Sequence, residues 1–279
     1  MIAKPCSYSY DTFEEEARKK ELERLRHQAS TFVEIERTLW PGMGITSGQS
    51  VIDIGCGTGF ITNELSKQVS PSRVVGIDIS RSLLQECTKS SHADCSAFSN
   101  SKQTLNPSFK EGSVYDIPFP AESFDVAYAR LIFQHLAEPV RALESILRVL
   151  KPGGVVCIVD VDKGWSGLCP EPDTSVELDQ AIIREHLSQG GDPWVGRKLS
   201  YYLSTSGFKQ VRTTVSLVDS HRVGLESFFS CLSFGDSHQS EQNQLLGLQR
   251  RARVDAQLLL ENPDAWAGFG LFVATGEKA

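Results

Sequence analysis

From residue 50 onward the chain alternates short apolar runs with amphipathic stretches, and this alternation limits the fold more than any other feature. "SVIDI", "RVVGIDI", "FDVAYA" and "GVVCIVDV" are apolar at almost every position, as strands buried on both faces must be. "TGFITNELSKQV", "SRSLLQECTK" and "EPVRALESILRVL" read as the helices between them, and "FKEGSV" as a further strand. Buried strands joined through helices predict an α/β fold, a mostly parallel sheet with helices on both faces. Two later runs, "GFKQVRTTVSLV" and the closing "GFGLFVATGEK", bring the strands to seven. Near-terminal strands of this kind are expected to add antiparallel at one edge.

Two regions flank or interrupt this core. "DTFEEEARKKELERLRHQASTFVEIERTLW" reads as a long helix. Glu14 and Arg18, Glu15 and Lys19, and Glu16 and Lys20 are acid-to-base pairs four apart, with Leu22, Leu25, Ala29, Phe32 and Val33 as an apolar stripe. Residues 1–48 are therefore expected to form an N-terminal helical cap on a domain of residues 49–279, with helical material on the ligand side around 164–192 and 217–266. The helix is either a solvated edge or a lid, with Tyr8, Tyr10 and Phe13 reaching inward, and a shared helix between two copies is a further use for it. The polar, serine-rich run between Lys89 and Pro107 reads as a surface insertion.

Composition narrows the partners. A net charge of −7 offers no basic face for nucleic acid, no apolar run approaches the roughly 18 residues of a membrane span, and the first twenty residues lack the apolar core of a secretory signal. Seven cysteines without a C-x-x-C pair predict reduced thiols in the cytoplasm and no metal site.

The turn "VIDIGCGTGF" addresses the ligand. A dinucleotide fingerprint reads G-x-G-x-x-G; here Gly55 and Gly57 fit, but Phe60 holds the third position and the last glycine, Gly59, comes one residue early. Asp53, on the strand just ahead, would repel a pyrophosphate and suit a ligand with ammonium and sulfonium groups. S-adenosylmethionine has both and no phosphate. Asp78 ends the second strand about 20 residues on, where an acid can accept from both ribose hydroxyls, and Ile79 follows to cover the adenine.

"VIDIGCGTG", "VVGIDIS", "IPFPAESFDV", "LRVLKPGG" and "FVATGEK" occur in the order found in the class I S-adenosylmethionine-dependent methyltransferases. The chain resembles especially the small-molecule enzymes similar to the ubiquinone and menaquinone C-methyltransferases. The resemblance implies a Rossmann-like sheet with S-adenosyl-L-methionine as cofactor. It places Asp53 and Gly55 at the methionine amino end, Asp78 at the ribose, Ser113 and Val114 at the adenine, and the Ala129 carbonyl at the methionyl moiety. Ser113 stands where the family commonly has an acid, and a hydroxyl accepts more weakly from the adenine amino group than a carboxylate.

Methyl transfer requires alignment, exclusion of water and, for a protonated nucleophile, a base. His135, in "FQHL", is the candidate base or else a packed residue; Arg130 either binds the cofactor carboxylate or pairs at the surface. Tyr8, Tyr10, Phe13, Trp165 and Phe229 are candidates for an aromatic substrate wall, with Phe228 and Trp266. No tyrosine has a lysine four residues on, so a short-chain oxidoreductase is excluded. The expected function is methyl transfer to a small organic acceptor, with natural-product metabolism as the setting. The alternative is a methyltransferase-like protein that closes a ring, with or without transfer. The N-terminal segment is expected to matter to the acceptor more than to the cofactor.

Overall fold

The computed structural model describes residues 6–70, 72–93, 106–232 and 243–279. The serine-rich run falls largely outside them. Seven strands form one sheet in the order β3-β2-β1-β4-β5-β7-β6: β1 (Val51–Ile54), β2 (Val74–Asp78), β3 (Ser108–Glu111), β4 (Phe124–Arg130), β5 (Leu150–Cys169), β6 (Lys209–Asp219) and β7 (Trp266–Glu277). The first five are mutually parallel. β7 runs antiparallel to both β5 and β6, so the antiparallel strand inserts one place in from the edge and β6 closes the sheet.

The central strands are buried throughout because helices cover both faces. On one face, α4 (Pro139–Val149) and α6 (Leu199–Thr205) bring Ala142, Leu143, Ile146, Leu199 and Leu203 against Ile52, Ala127 and Ile158. On the other, α1 (Glu15–Leu39) and α2 (Phe60–Val69) bring Phe32, Val33, Ile35, Ile61 and Leu65 against Val51, Tyr128 and Val159. Each fully buried aliphatic side chain contributes roughly 1.5–3 kcal/mol. The later part of the α1 stripe, Ala29, Phe32 and Val33, thus lies on the sheet. α3 (Arg81–Ala93) follows β2, with Leu83 and Cys87 buried.

Beyond the carboxyl ends of the strands lies a second layer. α5 (Asp173–Ser188) packs on α9 (Asn243–Leu260). Between β6 and α9 come α7 (Ser220–Val223) and α8 (Leu225–Ser230), where Phe228 and Phe229 meet Leu259 and Ala267 in a separate small core.

Two elements differ from the sequence expectation. β5 continues past Val161 to Cys169, because Ser166–Cys169 find partners in Phe269–Trp266 of β7 after a register shift. The segment from 164 therefore begins as strand and becomes helix only at Asp173. β3 stops at Glu111: the Gly112 amide donates to the Asp78 carbonyl at 3.0 Å, and Ser113 bridges to Asp116 in a turn. Among the described residues no helix is long and apolar enough to cross a membrane, no three potential metal ligands converge, and the six described cysteines are free.

Candidate functional site

Three glycines with positive φ shape the turn after β1: Gly55 at 71°, Gly57 at 53° and Gly59 at 72°. A Cβ on Gly55 would collide with Ile132, and one on Gly59 would meet the Phe109 ring at 2.8 Å and Cys87 Sγ at 2.9 Å. The Gly55 and Cys56 amides both donate to the Ile77 carbonyl, at 2.8 and 3.0 Å. The Asp78 carboxylate accepts from Gly57 N at 2.9 Å and from Ser80 N at 2.8 Å. The turn is therefore strapped to the end of β2. Gly55 and Gly57 line a cavity, whereas Gly59 does not; it is scaffold at the start of α2.

That cavity measures about 950 Å³. At its turn end stand three charged side chains. Asp53 is buried on β1 and accepts from Thr62 Oγ1 at 2.6 Å. Burial pushes its carboxyl up to about 7, against the pull of the Thr62 bond and of Arg130. Burial also raises Asp78, although backbone amides oppose it. Arg130, at the end of β4, donates from Nε to Glu36 Oε1 at 2.6 Å. Its Nη2 is buried with no hydrogen-bond partner among the described residues. This is neither a surface pair nor a satisfied core arginine. Two buried carboxylates made less acidic by burial, with one unused guanidinium donor, suit a ligand that brings an ammonium, a carboxylate and hydroxyl donors.

Ile79 (69% exposed), Ser113 and Val114 also line this end. Ser113 Oγ accepts from Tyr115 N at 3.2 Å, so part of its capacity holds its own turn. Ala129 lies in the sheet interior and is not on the cavity wall; its side chain is core.

Residues 6–11 run along the cavity wall from the turn end towards His135. Asp11 Oδ1 accepts from Ser80 Oγ at 2.9 Å. Ser7 N donates to the His135 carbonyl at 3.3 Å, and Ser7 Oγ lies 2.8 Å from His135 Nδ1. His135 sits in the turn after β4, its ring between Tyr8 and His186, with centroids at 5.3 and 5.1 Å. Tyr8, Tyr10 and Phe229 line the cavity, as does Phe228. Phe13 packs edge-on to Tyr8 outside it. Trp165 is also outside and 55% exposed: the register shift between Val161 and Ser166 leaves it over Gly270, edge-on to Phe272. Trp266 pairs with Cys169 in the sheet, away from the lining.

The rest of this chamber is apolar, walled by residues such as Leu25, Phe32, Leu178, Ile182, Leu259 and Phe269. Its charged side chains are largely partnered. Glu21 is chelated by Arg24 at 2.8 Å through both Nε and Nη2 and accepts from the Tyr8 hydroxyl at 2.9 Å. Asp162 is held by Arg197 at 2.7 and 2.6 Å, and Lys163 by Asp179 at 2.7 Å.

Residue-type reasoning overlooked Ser7, Asp11, Glu36 and His186. For Glu36 there was a signal: it continues the spacing of the stripe containing Phe32 and Val33, so it is a carboxylate on the buried side of its helix. The others are brought in by contacts distant in sequence.

The strand order and the glycine turn define an α/β protein of Rossmann-like type, with the ligand at the carboxyl ends of the strands. Residues 45–191 match the family model described as a methyltransferase domain, and the chain belongs to that family. A demethylmenaquinone methyltransferase of Lactococcus lactis is 37% identical over 118 residues, 42% of this chain and 44% of that protein. The O-methyltransferase resE of Aspergillus sclerotiorum is 27% identical over 169 residues, 61% of this chain and 58% of that protein. The chain thus spans about half the length of the curated relatives it matches. The crystal structure of the [4+2]-cyclase SpnF superposes with a TM-score of 0.53 at 17% identity, covering 100% of this chain and 88% of that one. S-adenosylmethionine is the family's cofactor, and the acids and the unpartnered guanidinium donor fit its ammonium, carboxylate and ribose diol.

Proposed function

We propose that this chain transfers the methyl group of S-adenosylmethionine to a hydroxyl of a largely apolar small molecule, within natural-product metabolism and in the cytoplasm. The observation that carries the reading is one continuous cavity that joins the glycine turn to the apolar chamber past His135. The bound cofactor supplies an electrophilic methyl on a sulfonium.

Asp53 holds the ammonium and Arg130 the carboxylate of the methionyl end. Gly55 and Gly57 let the backbone approach without a Cβ. Asp78 accepts from the ribose hydroxyls, Ile79 and Val114 cover the adenine, and Ser113 accepts from its amino group. His135 is the base. Its ring lies on the cavity wall, with Ser7 Oγ 2.8 Å from Nδ1, and the turn after β4 fixes it there for the acceptor hydroxyl. Tyr8, Tyr10 and Phe229 wall the acceptor and exclude water. Residues 1–48 serve as the cap and residues 49–279 as the transferring domain.

The O-methyltransferase among the relatives supports oxygen as the methylated atom. The cyclase-like fold, matched across the whole chain, supports ring closure as the second reading. Incubating the protein with methyl-labelled cofactor and extracts of its source, followed by mass spectrometry, separates the two. Transfer yields a labelled product heavier by one methyl group in place of a hydrogen. A product of unchanged mass supports ring closure, and absence of label from every product refutes transfer.

A further inference from the structure

Arg130 lies on the cavity wall, but the groups that fix it do not. Glu36 is fully buried on α1, ninety-four positions earlier in the chain. One of its carboxylate oxygens accepts from Arg130 Nε–H at 2.6 Å. The other accepts from the Tyr128 hydroxyl at 2.7 Å, which in turn accepts from Trp40 Nε1 at 3.5 Å. The side chain of Arg130 is only 10% exposed, so it can rotate little. Held at Nε, the guanidinium keeps its Nη2 donor buried and unpartnered among the described residues.

Protein interiors rarely retain such a donor unless something uses it. Arg130 is electrostatically coupled to Asp53, and both line the same end of the cavity. One carboxylate and one free guanidinium donor complement an ammonium and a carboxylate carried on the same carbon. Without Glu36, the buried acids that feel the arginine's charge are Asp53 and Asp160, and pairing with Asp53 would neutralise both groups where the ligand must bind.

Resting on the methyltransferase reading above, we infer that Glu36 is a positioning residue: it holds Arg130 for the amino-acid carboxylate of the cofactor and away from Asp53. The first helix is then part of cofactor recognition as well as a cover.

The test is titration calorimetry of the full chain with S-adenosylhomocysteine and with its decarboxylated analogue, which keeps the ammonium and the nucleoside. The parent is expected to prefer the carboxylate-bearing ligand by at least about tenfold, as a charge-assisted bond predicts. In Glu36→Gln and Arg130→Lys the affinity for S-adenosylhomocysteine falls by a similar factor. Affinity for the analogue changes by less than about threefold, so the preference collapses. Tyr128→Phe removes one of Glu36's partners, keeps the buried ring, and should give a smaller change in the same direction; it serves if Glu36→Gln does not fold. A parent indifferent to the carboxylate, or folded variants that weaken both ligands equally, overturns the inference while leaving the methyltransferase reading intact. Failure of the parent to bind S-adenosylhomocysteine at all overturns that reading and the inference with it.

Discussion

Asp53 makes cofactor binding a proton-linked event. In the free protein its carboxyl is raised to about 7 because burial disfavours the charged form, against about 3.9 in an unfolded chain. A raised acid stabilises the fold below the unfolded value, and that contribution is lost as pH rises through the folded value. At pH 8 the free protein therefore carries a buried carboxylate at a cost on the order of 4 kcal/mol, taking about 1.36 kcal/mol for each pH unit between the two values. A ligand ammonium beside Asp53 lowers its pKa, so binding requires the ionised form, and the apparent affinity scales with its population. That population rises roughly tenfold from pH 6 to pH 8, equivalent to about 1.4 kcal/mol of binding. Calorimetry with S-adenosylhomocysteine in buffers of different ionisation enthalpy should show this gain, with proton release at pH 6. Asp53→Asn keeps an acceptor for the Thr62 hydroxyl and removes the charge. It should flatten the pH dependence, weaken binding at pH 8 and raise the free protein's Tm at pH 8. Parental affinity that is constant from pH 6 to 8, or a variant that melts lower than the parent at pH 8, would refute the argument. Asp160, also raised to about 7 by burial, makes the free fold lose stability over the same window. It is off the cavity wall, so its titration should not alter the difference between parent and variant.

Asp78→Ala removes charge-assisted acceptors and should weaken S-adenosylhomocysteine binding by about 1.5–3 kcal/mol; unchanged affinity would remove Asp78 from the ribose. Ser7→Ala leaves His135 Nδ1 without the hydroxyl 2.8 Å away, so the pH–rate profile of turnover should shift while cofactor affinity stays within about twofold. A profile identical to the parent's would mean that Ser7 does not tune the base.

Much of the sheet was legible because its strands are buried on both faces and carry unbroken apolar runs: Val51–Ile54 and Val74–Asp78 could be placed without any tertiary information. The turn end of the site was legible for a related reason. A backbone needing positive φ at Gly55 and Gly57, with an acid on each flanking strand, is a local pattern. The far end was not. Trp165 looked like a pocket aromatic by type, but a register shift in a pairing with β7 decides which way it faces, and no local pattern encodes that. β5 was read too short because its last four residues are strand only through Phe269–Trp266. Ser7 and Asp11 owe their positions to His135 and Ser80, 128 and 69 residues away.

The expectation that the N-terminal segment serves the acceptor and leaves the cofactor to the sheet assumed that the two ends of the cavity are built by different parts of the chain. The contacts divide them otherwise. Asp11 bonds to Ser80, whose amide holds the Asp78 carboxylate, so one end of the segment braces the proposed ribose acceptor. Ser7 bonds to His135, so the other end braces the proposed base. Glu36, on the α1 helix that follows, holds Arg130. Each of these N-terminal residues is polar, and each partner is a cavity-lining residue or bonds directly to one. A solvated helix docked for stability alone needs only apolar contacts, and Ala29, Phe32 and Val33 already supply these in the cluster with Val51 and Val159. The added polar contacts tie the N-terminal segment and the first helix to side chains at both ends of the cavity. Removing residues 1–28 takes away Asp11 and Ser7 but spares Glu36, and should leave the carboxylate preference standing while loosening the ribose end and the base together.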